Sequence, residues 1–382
     1  MLFANGCIVT PDGILNRGSV EVCDGFITTV NDSTSSIDSN EEFIDLKSDF
    51  LLPGFVDIQV NGGGGLLFND NPSVETAIEI ANAHRTFGTT SLLPTLISDD
   101  LGKVEQAIIA IDEAVAGNIP GIAGVHIEGP FLNVEKKGIH DARKLQKLST
   151  EAIQILTSAR HAQVVVTLAP ECVQPTQITY LVDSGIKVCA GHTNATFDET
   201  LGAIAAGTSG FTHLFNAMRA MHSRNPGVIA AALESNAYCG VIIDGKHVHP
   251  AMLRLALRAK LDRRLMLITD AMPVVGADLE HFILSNQKIS VAEGVCVSED
   301  GTLAGSALSM IDALKNAITM LDLSIEEASR MASLMPCEFL GISDRMGCIA
   351  PGRRADLLRV SPNFVISQIW IGGVEQQDGN FR

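Results

Sequence analysis

Apolar and polar positions alternate in short segments from Met1 to about Phe50, interrupted by the turn pairs Asp12-Gly13 and Asp24-Gly25. That alternation predicts antiparallel strands joined by hairpins. From Gly54 the pattern changes to short continuous apolar runs separated by longer stretches of helical period. Parallel βαβ units give this pattern, because their strands are covered on both faces. Candidate strands lie near 55–60, 91–94, 122–127, 164–168, 186–190, 210–213, 239–243 and 265–269, and eight of them close a barrel. The segments 307–321 and 324–335 read as helices, the second opened by Ser324 as N-cap with Glu326 and Glu327 in its first turn. Alternation returns from 346 to 382, broken at Gly352, Gly372, Gly373 and Gly379.

Both chain ends therefore share a β character that the middle lacks. The expected α/β fold is a (β/α)8 TIM-type barrel of residues 53–343, with a small discontinuous β-sandwich domain built from 1–52 and 344–382. A length of 382 residues suits this division, since such a barrel takes about 250. The composition, 46% hydrophobic and 19% charged, supports a large core and gives no sign of disorder.

The 27 Lys and Arg against 44 Asp and Glu leave a formal charge of -17. Such a surface repels nucleic acid and anionic membranes, so neither is an expected partner, and an anionic small substrate needs a local cluster of donors. The eight cysteines are scattered with no Cys-x-x-Cys pair, which argues for buried free thiols over a disulfide scaffold or thiolate zinc site. No basic leader with an apolar stretch opens the chain, and no apolar run approaches the roughly 20 residues that span a bilayer, so a cytoplasmic location is expected.

In a parallel barrel the loops after the C-terminal strand ends carry the chemistry. Glu128 lies near the end of GVHIEGP, His192 ends VCAGH, His213 follows GFT and Asp270 ends LMLITD, each on a different predicted strand. Taken singly, a strand-end His is more often a satisfied polar residue and a strand-end carboxylate a helix cap. Four together at one barrel mouth favour a metal site, in which two imidazoles and a carboxylate supply three ligands and leave a position for water. His126 reads as core or as support behind the ligands, and His84, His161 and His281 as surface or structural groups. His140 sits in a long loop after the third strand with Lys136 and Lys137, which read as solvated. Asn216, Ala217 and Arg224 follow His213, and His247 follows the seventh strand; these make either a local anion site or ordinary surface groups.

The segments HIEGPF, GHTNA, THLFNAM and LITDAM resemble those of the N-acetylglucosamine-6-phosphate deacetylases, within the amidohydrolase superfamily. The likeness continues through LLPGFVDIQVNGGGG, KKGIH, DGKHVH, GTLAGSALSM and GCIAPGRRADLL, over nearly the whole chain. The resemblance implies Glu128, His192 and His213 as ligands of one divalent metal ion per subunit, zinc first among zinc, iron, manganese, cobalt and nickel. It implies Asp270 as the general base and acid that works with metal-activated water, and His140 as partner of the substrate carbonyl. Ile139, Asn216, Ala217, Arg224 and His247 become contacts to a phosphorylated N-acetyl amino sugar, completed by Leu303, Ala304, Gly305 and Ser306. It further implies a homodimer in which Arg224 or His247 is lent across the interface. One departure stands out: many amidohydrolases carry His-x-His at the end of the first barrel strand, whereas here the residues are Gln59-Val60-Asn61. Amide side chains are weaker ligands, so a single metal is expected, with Gln59 and Asn61 hydrogen-bonded around it. The competing expectations are the galacto epimer as substrate, another amidohydrolase such as a cyclic amidase, and a non-catalytic scaffold of the same fold.

Overall fold

The computed structural model describes residues 1–32, 42–260 and 262–376; the expected break at Gly379 lies outside them. The central strands are apolar and buried along their length, as continuous apolar runs dictate. They are β1 (Phe55–Val60), β2 (Thr89–Ile97), β3 (Gly124–Glu128), β4 (Gln163–Leu168), β5 (Lys187–Ala190), β6 (Gly210–Phe211), β7 (Tyr238–Val241) and β8 (Leu265–Leu267). Each pairs in parallel with the next, from β1–β2 to β7–β8. A helix follows each strand, from Val74–Arg85 after β1 to Met310–Leu321 after β8. Caps start several of these helices: Ser73 accepts from the Thr76 N–H, and Thr196 and Ser324 form capping boxes with Glu199 and Glu327.

The seam between β8 and β1 is closed by backbone bonds and by one buried side chain. Asp57 is fully buried; its Oδ2 accepts from the Thr269 hydroxyl at 2.5 Å and its Oδ1 from the Gln59 and Thr269 N–H groups at 3.2 and 3.4 Å. Just above it, the Asp270 N–H donates to Gln59 O at 3.0 Å and the Asn61 N–H to Ala271 O at 2.9 Å. Asp57→Ala removes the acceptor of three core donors, leaving the Thr269 hydroxyl only Gln59 O at 3.5 Å, and is expected to cost on the order of 3 kcal/mol, read from the urea midpoint. A loss below about 1 kcal/mol would show that the backbone bonds alone hold the seam.

Both chain ends meet in one eight-stranded sheet. Phe50–Pro53 runs parallel to Leu2–Thr10 on one side and antiparallel to Leu357–Val360 on the other. The second hairpin turn is the expected Asp24-Gly25, with Cys23 opposite Phe26, whereas the first is Pro11-Asp12, one residue before the expected pair, with Thr10 opposite Gly13. The sheet curls strongly. Phe3 and Trp370 sit on strands three places apart, at about 4.8 Å per place, yet their rings meet edge to face at 4.8 Å. The edge strand Phe26–Asn31 reaches Arg353, whose carbonyl accepts from the Ile27 N–H at 2.8 Å. The expected small β domain is present as one sheet that folds over its own core of Phe3, Ile8, Val20, Leu51, Leu357 and Trp370.

Between β8 and the helix Met310–Leu321 the structure adds a four-stranded antiparallel meander, His281–Leu284, Gln287–Ala292, Val295–Ser298 and Leu303–Ser306. Its last strand bridges Ala271 in parallel through Ser306, so it stands at the barrel mouth. The thiols also differ from expectation: Cys189, Cys239, Cys296 and Cys337 are buried, but Cys23 and Cys172 are exposed. Among the described residues no helix is long and apolar enough to cross a membrane.

Candidate metal centre and its cavity

The polar residues at the strand ends turn inward because the chain bends sharply there. His192, His213 and Asp270 have φ of 47°, 30° and 52°, a left-handed conformation that costs non-glycine residues about 1–3 kcal/mol each. In return the side chains converge. Glu128 Oε1 lies 3.2 Å from His192 Nε2 and 3.0 Å from His213 Nε2, and the two Nε2 atoms are 3.0 Å apart. All three residues are 5% exposed or less, so the charge they gather is not screened by water.

The donor set fits a divalent cation. His192 Nδ1 lies 2.8 Å from Lys136 O, which can only accept, so the proton sits on Nδ1 and Nε2 keeps its lone pair. Burial pushes Glu128 upward, but the His192 and His213 rings gathered at its Oε1 outweigh it and hold the carboxyl well below its usual range. Burial likewise pushes His213 down, and the Glu128 carboxylate more than reverses it. This demand for positive charge is what a metal satisfies. His213 Nδ1 is buried without a partner among the described residues.

His140 also offers a ring nitrogen within 4.8 Å of the ligand atoms of Glu128 and His192. Its tautomer argues for a different task. The Ser98 backbone N–H, 3.3 Å away, donates to Nδ1, with the Ser98 hydroxyl at 2.7 Å, so a neutral ring carries its proton on Nε2. Burial and then the charge of His192 hold its pKa well below the usual imidazole value. With Nδ1 taken up by Ser98 and the proton on Nε2, neither nitrogen of the His140 ring keeps a free lone pair for a metal, and Nε2–H is a hydrogen-bond donor.

Asp270 is held beside this cluster. Its Oδ1 accepts from Gln59 Nε2 at 3.1 Å and Asn61 Nδ2 at 2.6 Å, and Gln59 Nε2 also reaches Glu128 Oε1 at 3.1 Å. Burial and then the Glu128 charge raise its pKa to about 6. Gly305 packs against its backbone with φ 63°; a Cβ there would lie 2.6 Å from Asp270 O, so only glycine fits.

These residues open into a cavity of about 360 Å³. Of the sequence-derived candidates, Asn61, Glu128, Ile139, His140, His192, His213, Asn216, Ala217, His247, Asp270, Leu303 and Gly305 line it. Gln59, Ala304 and Ser306 are buried behind, with the Ser306 hydroxyl donating to Thr269 O at 2.6 Å. Arg224 is exposed and is not among the lining residues. His247 is fixed by Asp244, whose Oδ2 lies 2.5 Å from His247 Nδ1. His126 bonds to the hydroxyls of Thr95 and Thr167, His84 to Gly62 O in the core, and His161 and His281 are exposed. Lys136, read as solvated, is partly buried and lines the cavity with Ile97, Glu135, Gly138, Met272 and Thr302, which the sequence did not single out.

Residues 50–375 match the amidohydrolase family. The chain is 42% identical to the N-acetylgalactosamine-6-phosphate deacetylase of Shewanella sp. (strain ANA-3), over 98% of this chain and 95% of that protein. Among solved structures, the N-acetylglucosamine-6-phosphate deacetylase of Pasteurella multocida superposes with a TM-score of 0.95 at 33% identity, covering 99% of this chain and 100% of the other. An Asp-to-Ala variant of the deacetylase from Mycobacterium smegmatis, in complex with N-acetyl-D-glucosamine 6-phosphate, matches with a TM-score of 0.91 at 28% identity, over 98% of both chains. The chain belongs to the amidohydrolase family.

Proposed function

We propose that the protein hydrolyses the acetamide of N-acetyl-D-glucosamine 6-phosphate, releasing acetate and D-glucosamine 6-phosphate, with one divalent ion per subunit. The observation that carries this is Asp270 beside the Glu128–His192–His213 cluster at the floor of a cavity of about 360 Å³. An ion held by those three side chains supplies Lewis acidity, which polarises a carbonyl and makes water acidic enough to lose a proton near neutral pH. Zinc suits two imidazoles and a carboxylate, as do iron, manganese, cobalt and nickel.

The protein groups divide the remaining work. Asp270 Oδ1 is occupied by Gln59 and Asn61, so Oδ2 takes the proton of the attacking water and returns it to the amine nitrogen as the C–N bond breaks. His140 Nε2–H donates to the acetamide oxygen as charge builds there. Asn216, Ala217 and His247 hold the phosphate end, and Ile139, Leu303 and Gly305 the sugar. Arg224 stands outside its own cavity, which supports a homodimer whose phosphate is reached by Arg224 of the partner subunit. The same reading keeps a barrel of residues 53–343 beside a domain of 1–52 and 344–382, in a cytoplasmic enzyme whose charge of -17 favours small-molecule over nucleic-acid or membrane partners.

Acetate release from the phosphorylated gluco substrate, with and without a chelator, tests the proposal; no release from metal-loaded protein sinks it. The 42% identity to an N-acetylgalactosamine-6-phosphate deacetylase favours a second reading, the galacto epimer, which the same assay on both epimers decides. His247→Ala is expected to raise KM for the phosphorylated sugar roughly 10- to 100-fold, the worth of a charge-assisted hydrogen bond, and to leave unphosphorylated N-acetylglucosamine nearly unaffected. Equal losses on both sugars would remove His247 from the phosphate.

A further inference from the structure

One carboxylate outside the cavity ties together three of the loops that build it. Glu171 lies in the turn Pro170–Cys172 after β4 and is partly buried. Its Oε1 accepts from Asn133 Nδ2 at 2.9 Å and from the Asn194 backbone N–H at 2.6 Å, and its Oε2 accepts from the Thr193 hydroxyl at 2.5 Å. Asn133 belongs to the loop after β3 that carries Lys136, Ile139 and His140, whereas Thr193 and Asn194 directly follow His192. The same two loops meet twice more: the Asn133 N–H donates to His192 O at 3.1 Å, and Lys136 O takes the His192 Nδ1–H at 2.8 Å. Thr193 carries the tie onward to the loop after β6, through its N–H to Ala217 O and its carbonyl from the Arg219 N–H, both at 3.1 Å.

These loops follow different strands, so the barrel's own ladder does not fix them against one another beyond the strand ends. A carboxylate that accepts from two of them does. We propose that Glu171 is a positioning residue for the metal centre, setting the His192 ring against Lys136 and, through the same loop, against His140. The proposal rests on His192 being a metal ligand, as read above. It also explains why a polar residue with no access to the reacting atoms holds three donors.

The test is zinc affinity, measured by competition with a chromophoric chelator on the full-length wild type and on Glu171→Ala, Glu171→Gln and Asn133→Ala. Glu171→Ala is expected to weaken zinc binding roughly tenfold, the low end of what losing an outer partner costs. Glu171→Gln should stay within about threefold, because its oxygen keeps two donors and its amide can donate to the Thr193 hydroxyl, which also accepts. The double variant Glu171→Ala with Asn133→Ala should bind about as tightly as Glu171→Ala alone, since both break one node. Independent, multiplying losses overturn the proposal, as does unaltered affinity in Glu171→Ala. A Glu171→Gln variant as weak as Glu171→Ala overturns it too. If Glu171→Ala does not fold, Thr193→Val removes one donor to Glu171, together with the acceptor of the Ala195 N–H, without touching charge and should still lose about threefold; no loss there counts against Glu171. A wild-type protein that binds no zinc sinks the ligand assignment itself, a result distinct from any failure of Glu171 alone.

Discussion

Asp270→Asn is expected to lower kcat by about a thousandfold while the protein still binds its metal, because general acid–base catalysis is worth about 10²–10⁴. The substitution is nearly isosteric. Gln59 and Asn61 both donate to Oδ1, so the new amide should keep its oxygen there and turn its NH2 group to the position of Oδ2. That places a group unable to accept a proton where one has to be taken from water and later returned to the amine. The ligands Glu128, His192 and His213 keep their mutual contacts, so metal content should not change. Acetate release and metal analysis on the same preparation check both halves. Turnover within tenfold of wild type would move the proton transfer to another group; lost metal would instead make Asp270 part of the ligand set.

Much of this architecture was legible because burial leaves a mark on the chain. Strands covered on both faces must be apolar throughout, so all eight barrel strands fell within a few residues of the expected runs, and their polar ends marked the mouth. Turn chemistry did the same for the terminal hairpins. The meander of residues 281–306 escaped because its strands are half exposed and short, although Ser285-Asn286 and Glu293-Gly294, all with positive φ, are the two-residue turns that announce hairpins. What no local pattern reveals is a bond between distant residues. Asp57 and Thr269 are 212 positions apart, and Glu171 reaches back 38 positions to Asn133. Lys136 shows the same limit: its sequence context speaks only to its side chain, whereas its part in the site lies in a backbone carbonyl that accepts from a ring 56 positions away, His192.

Glu128→Ala is expected to abolish metal binding and, with it, acetate release. Glu128 is the only anion among the three ligands and the atom on which both imidazoles converge. Without it two neutral rings face each other in a buried site, the ligand set has lost its only charge, and Gln59 Nε2 keeps only Asp270 as an acceptor. The clearest readout is thermal. Wild-type protein in zinc at a hundred times its Kd gains about 2.7 kcal/mol, because the ion binds only the folded chain, and its Tm rises accordingly. The variant's Tm should not respond to zinc. Removing Glu128 also relieves the crowding of like charge that helps raise Asp270, but it takes away the acceptor at which Gln59 and both imidazoles converge, so metal-free stability is compared separately from the zinc response. Should the variant keep that response, the ion must sit elsewhere in the cluster, and His140 with His192 would become the pair to replace next.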